Sequence, residues 1–170
     1  MLIQKLTFIL QKLFINQMNI KKYKLKYSNN EIKNINREIT AVLKKGYLTD
    51  GGPKLKNFEK NFSKRFNFKY SVAVNSGTSA LEIILRCLNL KKTNILLPAY
   101  TFVGSLLPVI LLNNNYNFLD ISKKNLSPTL EEIKKKYKKD VKAIILVHVN
   151  GIISDEIFEI QKFCKQNKIY

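Results

Sequence analysis

Segments typical of strands and of helices alternate along most of this chain, and this alternation limits the fold more than any other feature. Short apolar runs predict strands over residues 71–74, 94–97, 116–119 and 142–149, and residues 168–170 resemble the start of another. Strands that alternate with helices form a mainly parallel sheet with helices on its faces. Ligands of such sheets bind outside the carboxyl ends of the strands. We therefore expect an α/β fold.

The helices are predicted from apolar residues spaced three and four positions apart. Two of them precede the first strand, one over residues 31–45 and one marked by Leu55, Phe58, Phe62 and Phe66. A loop containing glycines and Pro53 separates them. Later helices are predicted over residues 101–112, 129–138 and 154–167.

The turn between the first strand and the next helix is rich in small and hydroxyl residues. It contains Gly77, which allows a sharp turn, and Ser76, Thr78 and Ser79 at the expected helix start. A helix start carries unpaired N–H groups and the positive end of the helix dipole, so this turn could hold a phosphate. The same residues also suit an ordinary capped helix. The local sequence leaves both interpretations open.

The net charge of +18 raises nucleic acid or an anionic membrane as a partner. Nearly all of the excess is lysine, whereas specific recognition of bases and phosphates favours the planar fork of arginine. We therefore expect no nucleic-acid partner. Residues 1–20 are too polar for a membrane span and lack a small-residue cleavage site. They form either an amphipathic helix or a stretch that precedes the true start at Met18.

Cysteine and histidine are scarce. Cys87 and Cys164 fall on predicted helices and are expected to be reduced, buried thiols of a cytoplasmic protein. His148 is the only histidine, so we expect no metal site. Tyr100, Phe102 and His148 lie at the carboxyl ends of predicted strands. For His148, a structural role with satisfied hydrogen bonds is weighed slightly above a catalytic one.

Four motifs in order carry a resemblance to a known family. They are Gly46-Tyr47-Leu48-Thr49-Asp50-Gly51-Gly52-Pro53 with Phe58-Glu59, then Ser76-Gly77-Thr78-Ser79-Ala80-Leu81, Pro98-Ala99-Tyr100-Thr101-Phe102-Val103 and Val147-His148-Val149-Asn150-Gly151. From about residue 28 onward the chain resembles the amino-terminal part of the DegT/DnrJ type of pyridoxal-phosphate aminotransferases, which act on keto sugars linked to nucleotides. Two positions depart from the pattern, Ser122 and Asn150, where an acidic and an aromatic residue are usual.

The resemblance implies roles for particular residues. Gly77 and Thr78 match the positions that hold the phosphate of pyridoxal 5'-phosphate, and Phe102 matches an aromatic that stacks on its ring. Spacing alone allows Phe102 to be a plain core residue as well. Tyr47 and Thr49 match a loop that lines the sugar-nucleotide site, often across a dimer interface. Their alternative interpretation is a solvent-exposed loop.

The resemblance also implies the extent of the domain. Residues 28–170 would form an incomplete large domain of the fold-type I, aspartate-aminotransferase-like transferases, and residues 1–27 an N-terminal extension and lead-in. The Schiff-base lysine and the acidic partner of the pyridinium nitrogen would lie beyond Tyr170. No lysine here stands in the family's Ser-x-x-x-Lys context, so none is assigned a catalytic role.

The resemblance therefore implies the amino-terminal fragment of an aminotransferase for nucleotide-linked keto sugars. We expect it to be inactive as this chain alone, cytoplasmic, and part of a homodimer when complete. Its partners would be a sugar nucleotide and an amino donor. Some members of the family act as dehydratases, and these residues do not separate the two reactions. The alternative is a non-catalytic α/β module that binds a phosphate ligand or a protein partner.

Overall fold

The structure is a computed structural model that describes residues 25–46, 48–49 and 51–170. The expectations for residues 1–24 and for Tyr47 lie outside this part of the chain. The chain divides after Ser71 into two compact units, which are described separately. None of the helices within the described ranges is long and apolar enough to cross a membrane.

The described part of the first unit contains helices α1 (Asn29–Lys45) and α2 (Pro53–Phe66). Ser28 caps α1, because its hydroxyl accepts from the Glu31 N–H while the Glu31 carboxylate accepts from the Ser28 N–H. These hydrogen bonds lower the pKa of the Glu31 carboxyl. At the start of α2, Pro53 occupies the first turn, where a missing N–H costs no helical hydrogen bond. Both predicted helices are confirmed.

The apolar faces of these two helices remain open in the structure. No residue of α1 or α2 is buried. On α2 the rings of Phe58, Phe62 and Phe66 contact one another in sequence, with centroids 6.1 and 4.6 Å apart. An ion pair between Lys54 and Glu38 joins the two helices. The helical periodicity is therefore real, but it buries no residue of either helix.

The second unit is a parallel sheet. It contains β1 (Asn94–Pro98), β2 (Asn115–Leu119) and β3 (Val141–Ile144) in the order β2-β1-β3. On the far side of β3, the Tyr170 N–H donates to the Lys142 carbonyl at 3.0 Å and the Tyr170 carbonyl accepts from the Ile144 N–H at 2.9 Å. Tyr170 thus pairs with β3, although residues 168–170 are not assigned as a strand.

Helices cover both faces of this sheet. They are α3 (Gly77–Cys87), α4 (Leu107–Leu111), α5 (Leu130–Lys136) and α6 (Ile157–Gln166). One core cluster joins Leu96 of β1 to Ile133 of α5 and Ile160 of α6. The other joins Ile95 of β1 to Leu85 of α3 and Val109 of α4. Because adjacent residues of β1 point to opposite faces, the two clusters lie on opposite sides of the sheet.

Two predicted strands need correction. Residues 71–74 form no strand and lie outside the β2-β1-β3 sheet, and Val72 is 79% exposed. The predicted strand 142–149 ends as β3 at Ile144, although the Ile145 N–H still donates to the Leu96 carbonyl at 2.8 Å. Two residues further along β1, Pro98 faces the same side and has no N–H to continue the ladder.

The predicted helix over residues 101–112 is also shorter than expected. A single 3₁₀ turn, Val103–Ser105, precedes α4, which starts only at Leu107. Pro108 lies in the first turn of α4 and would break a helix that continued through it. The prediction of buried thiols is wrong for Cys87, which is exposed, whereas Cys164 is partly buried.

Candidate cofactor site

The carboxyl ends of β1 and β3 lie side by side at the point where the strand order of the sheet reverses. From β1 the chain passes to β2 on one side and later to β3 on the other. The loops that leave β1 and β3 therefore part from each other and open a crevice, which is where open α/β sheets bind ligands. The topology alone thus favours a ligand-binding site at this edge of the sheet.

A cavity of about 390 Å³ lies in this crevice. We call it the switch-point cavity, and two loops line it: Tyr100, Thr101 and Phe102 after β1, and Val147, His148, Val149 and Asn150 after β3. The Thr101 hydroxyl hydrogen bonds to the Ser105 hydroxyl at 2.9 Å, which holds the first loop in place. The cavity is therefore bounded by two short segments that the sheet itself positions.

The start of α3 presents backbone donors that the helix does not use. The Ser76 hydroxyl accepts from the Ser79 N–H at 3.1 Å, and the Ser76 carbonyl accepts from the Ala80 N–H at 3.0 Å. The N–H groups of Gly77 and Thr78 have no hydrogen-bond partner among the described residues. No heavy atom lies within 4 Å of the point where a Gly77 Cβ would stand. The turn is thus a capped helix start that also has room and donors for an anion.

Gly104 connects this turn to the switch-point cavity. A Cβ on Gly104 would lie 2.5 Å from Thr78 Oγ1 and 2.9 Å from Phe102 Cδ1. The Thr78 hydroxyl and the Phe102 ring therefore both lie close to the same buried backbone position. The structure brings the three predicted cofactor residues, Gly77, Thr78 and Phe102, into one neighbourhood.

Two expectations about single residues change in the structure. Phe102 is 78% exposed, so its interpretation as a core residue is wrong, and its ring is free to contact a ligand. His148 is exposed, and its imidazole has no hydrogen-bond partner among the described residues. A structural histidine with satisfied hydrogen bonds is therefore not what the structure shows.

Thr49 belongs to the first unit. It is exposed and lines a different cavity, of about 440 Å³, together with Glu38, Lys45 and Lys54 from α1 and α2. The predicted substrate-binding role of Thr49 stays a prediction, as does that of Tyr47. Among the residues that the structure describes, there is no group of three or more histidine, cysteine or acidic side chains that could hold a metal ion.

Sequence reasoning did not single out Gly104. Nothing in the local pattern Val103-Gly104-Ser105 signals a close approach, because the neighbouring atom belongs to a helix that begins 27 positions earlier, at Gly77. The residues of the β3 loop had a visible signal, since they follow a strand in a parallel sheet. Only the strand order shows that this loop and the β1 loop line the same crevice.

This parallel sheet with helices on both faces is part of the large domain of a fold-type I pyridoxal-phosphate enzyme, as the comparison with solved structures shows. NtdA from Bacillus subtilis with bound cofactor PMP superposes with a TM-score of 0.78 at 27% identity, over 90% of this chain and 37% of that one. An Escherichia coli GDP-4-keto-6-deoxy-D-mannose-3-dehydratase with bound hydrated PLP gives 0.76 at 26% identity, over 89% and 39%. The expected fold is thus confirmed.

The chain belongs to the DegT/DnrJ/EryC1/StrS aminotransferase family, whose model matches residues 29–170. It is 26% identical to the GDP-perosamine synthase of Vibrio cholerae over 149 residues, which are 87% of this chain and 39% of that protein. It is 34% identical to Protein MosB of Rhizobium meliloti over 122 residues, 69% of this chain and 24% of that protein. The chain therefore spans well under half the length of the relatives it matches.

The family and the neighbours with bound PMP or PLP indicate pyridoxal phosphate as the cofactor. The residues present fit its two main parts. Free amides and open space at Gly77 suit a phosphate, and the exposed Phe102 ring beside the cavity suits a flat heteroaromatic ring. The fit rests on the second unit alone.

Proposed function

We propose that residues 28–170 form the amino-terminal part of the large domain of a pyridoxal-phosphate aminotransferase that acts on keto sugars linked to nucleotides. The enzyme would serve the biosynthesis of cell-surface polysaccharides or of unusual sugars. The family assignment supports the amino-transfer reaction. The names of two relatives, GDP-perosamine synthase and dTDP-4-dehydro-2,3,6-trideoxy-D-glucose 4-aminotransferase, support the substrate class.

The observation that carries the proposal is the close packing at Gly104, where the first turn of α3 lies beside Phe102, which lines the switch-point cavity. The amides of Gly77 and Thr78 and the Thr78 hydroxyl bind the cofactor phosphate, and the Phe102 ring stacks on the cofactor ring. When bound, the cofactor supplies an electron sink for the carbon that bears the amino group. For Tyr47 and Thr49 the proposed role, taken from the family resemblance, is to bind the sugar nucleotide.

We further propose that these 170 residues bind the cofactor but do not transfer amino groups by themselves. None of the lysines stands in the Ser-x-x-x-Lys context of the family. Amino transfer needs a base at the reacting carbon, and the family pattern assigns that role to none of these lysines. The complete enzyme would be a cytoplasmic homodimer.

The test is equilibrium dialysis of the 170-residue protein with pyridoxamine 5'-phosphate, which binds without needing a lysine. We expect saturable binding that inorganic phosphate displaces and that pyridoxamine lacking the phosphate does not reproduce. Gly77→Asp should weaken binding about tenfold or more, because it places a like charge against the phosphate. The control Asn89→Asp adds the same charge beyond the other end of α3 and should bind normally. Absence of saturable binding would contradict the proposal.

The unused amides also favour a second candidate, a non-catalytic module that recognises phosphate ligands in general. That module would bind inorganic phosphate and pyridoxamine 5'-phosphate with similar affinity, because the cavity would contribute nothing. The aminotransferase proposal requires the ring to add affinity. The ratio of the two dissociation constants separates the candidates.

A further inference from the structure

We propose that His148 is a further ligand-binding residue of the switch-point cavity, hydrogen bonding to the polar edge of the ring whose phosphate lies on Gly77 and Thr78. This inference deepens the proposed function and rests on it. The His148 imidazole lies on the β3 side of the cavity, whereas Phe102, which takes the face of the ring, lies on the β1 side. A ring between the two loops therefore has a polar side chain available at its edge.

The backbone holds His148 firmly in place. His148 lies three positions after Ile145, whose N–H forms the last hydrogen bond from this segment to β1. The His148 carbonyl then accepts from the Gly151 N–H at 3.0 Å and closes a 3₁₀ turn, Val149–Gly151. The backbone of His148 is thus held between a strand end and a hydrogen-bonded turn, which lowers the backbone entropy that ligand binding must overcome.

The other polar side chains around the cavity have local explanations. The Thr101 hydroxyl is already bonded to Ser105. Asn150 has a left-handed backbone with φ 54°, which asparagine tolerates better than most residues, so the turn itself accounts for it. Tyr100 lies on the Phe102 side. His148 has a φ of −84°, an exposed side chain and no hydrogen-bond partner among the described residues. Neither the turn nor the packing requires an imidazole at this position.

Imidazole also suits the chemistry. Neutral histidine has one nitrogen that donates and one that accepts, so it can pair with either a hydroxyl or a phenolate oxygen on a heteroaromatic ring. Histidine is also the side chain whose charge changes most easily near neutral pH. A ligand with a phosphate at one end and a polar ring substituent at the other would therefore meet donors at both ends.

The chain contains a single histidine, which allows a direct test. In protein prepared without a histidine tag, the imidazole nitrogens give one set of long-range ¹H–¹⁵N NMR signals. Titration with pyridoxamine 5'-phosphate should shift these signals with the same dissociation constant that dialysis gives. Titration with inorganic phosphate should leave them in place, because phosphate occupies only the start of α3. Unshifted imidazole signals in protein saturated with pyridoxamine 5'-phosphate would overturn the inference.

Two variants test the hydrogen bond itself. His148→Phe keeps a flat ring but loses both nitrogens, and it should weaken pyridoxamine 5'-phosphate binding about five- to tenfold. His148→Gln restores a donor and an acceptor and should recover affinity to within about twofold of the original. Neither change should alter inorganic phosphate binding or the melting temperature. Equal affinities of the His148→Phe variant and the original protein would contradict the inference, as would a His148→Gln variant as weak as His148→Phe.

These outcomes separate the two proposals. If the original protein binds pyridoxamine 5'-phosphate, Gly77→Asp abolishes binding and His148→Phe has no effect, the proposed function stands and only the role of His148 fails. If the original protein shows no saturable binding, both fail together.

Discussion

The Thr78 hydroxyl oxygen lies 2.5 Å from the point where a Cβ on Gly104 would stand. No side chain larger than hydrogen fits at position 104 while that hydroxyl keeps its place. The first turn of α3 and the loop after β1 are therefore packed against each other without an intervening side chain. The same loop carries Phe102, so this close contact lies between the turn and the aromatic residue of the proposed cofactor site.

Gly104→Ala should destabilise the protein through a clash with Thr78. We expect a loss of about 1–3 kcal/mol, the usual cost of overpacking a tight interior position. In the Thr78→Ala background, the destabilisation caused by Gly104→Ala should be smaller by roughly half or more, because the clashing oxygen is absent. Urea unfolding of the four proteins of this double-mutant cycle measures the coupling.

A matched control is Gly77→Ala, where the added Cβ meets no heavy atom within 4 Å. At this helical position alanine is expected to be neutral or stabilising by up to about 1 kcal/mol. If Gly104→Ala behaves like Gly77→Ala, the close contact at Gly104 has no energetic consequence.

Ser76 should separate stability from anion binding. Ser76→Ala removes the cap that accepts from the Ser79 N–H and should cost about 1 kcal/mol. Ser76→Asp keeps a capping oxygen, and its charge interacts favourably with the helix dipole, so stability should be retained. Its charge next to Gly77 should nevertheless weaken phosphate binding about tenfold. Thermal melting and dialysis on the same samples check both parts, and normal phosphate affinity in Ser76→Asp would argue against a site at this turn.

Phe102 should matter for binding and not for folding. Because its side chain is 78% exposed, Phe102→Ala should change the free energy of unfolding by less than about 0.5 kcal/mol. Loss of stacking should weaken pyridoxamine 5'-phosphate binding about three- to tenfold. Phe158 on α6 is 77% exposed and does not line the cavity, so Phe158→Ala should leave both quantities unchanged. Equal effects of the two variants on binding would remove Phe102 from the site.

The two cysteines should differ in reactivity. Burial raises the pKa of the Cys164 thiol above its usual value of 9.0. Cys87, by contrast, is the last residue of α3 and is exposed. Because the thiolate is the reactive form, iodoacetamide at pH 8 should modify Cys87 first. Peptide mass spectrometry over time gives the two rates, and faster modification of Cys164 would be inconsistent with its burial.

The same shift has a consequence for stability. The folded state holds the Cys164 proton more tightly than the unfolded state does. The resulting stabilisation is complete below the unfolded-state pKa and is lost as the pH rises through the folded-state pKa. Unfolding free energies measured from pH 7 to 10 should therefore fall, and Cys164→Ala should flatten that part of the curve. Cys87→Ser should leave the curve as it is.

Much of the fold follows from local patterns that depend on few neighbours. The helix start at Ser76 depends on one hydrogen bond, from the Ser79 N–H to the Ser76 hydroxyl, so the sequence alone predicts α3 well. The apolar runs that became β1 and β2 were predicted to within one residue at each end, because both strands pair along their length. The motifs likewise sufficed to identify the family, since their order survives without knowledge of any contact.

Errors arose where a backbone needs a distant partner. Residues 71–74 have strand-forming side chains, yet they do not join the β2-β1-β3 sheet. β3 ends early because of Pro98, which lies in another strand. Both outcomes depend on strand order, and strand order is set by packing between segments that are far apart in sequence.

The sequence by itself determined the alternation of strands and helices, the capped glycine turn at Ser76–Thr78 and the family. The tertiary structure decided which loops share the switch-point cavity, that Phe102 and His148 are exposed there, and that Gly104 must remain small beside Thr78. The physical reason is the distance along the sequence over which each interaction acts. Helix capping and periodicity act within a few residues, whereas a cavity and a backbone contact exist only after the sheet has brought separate segments together.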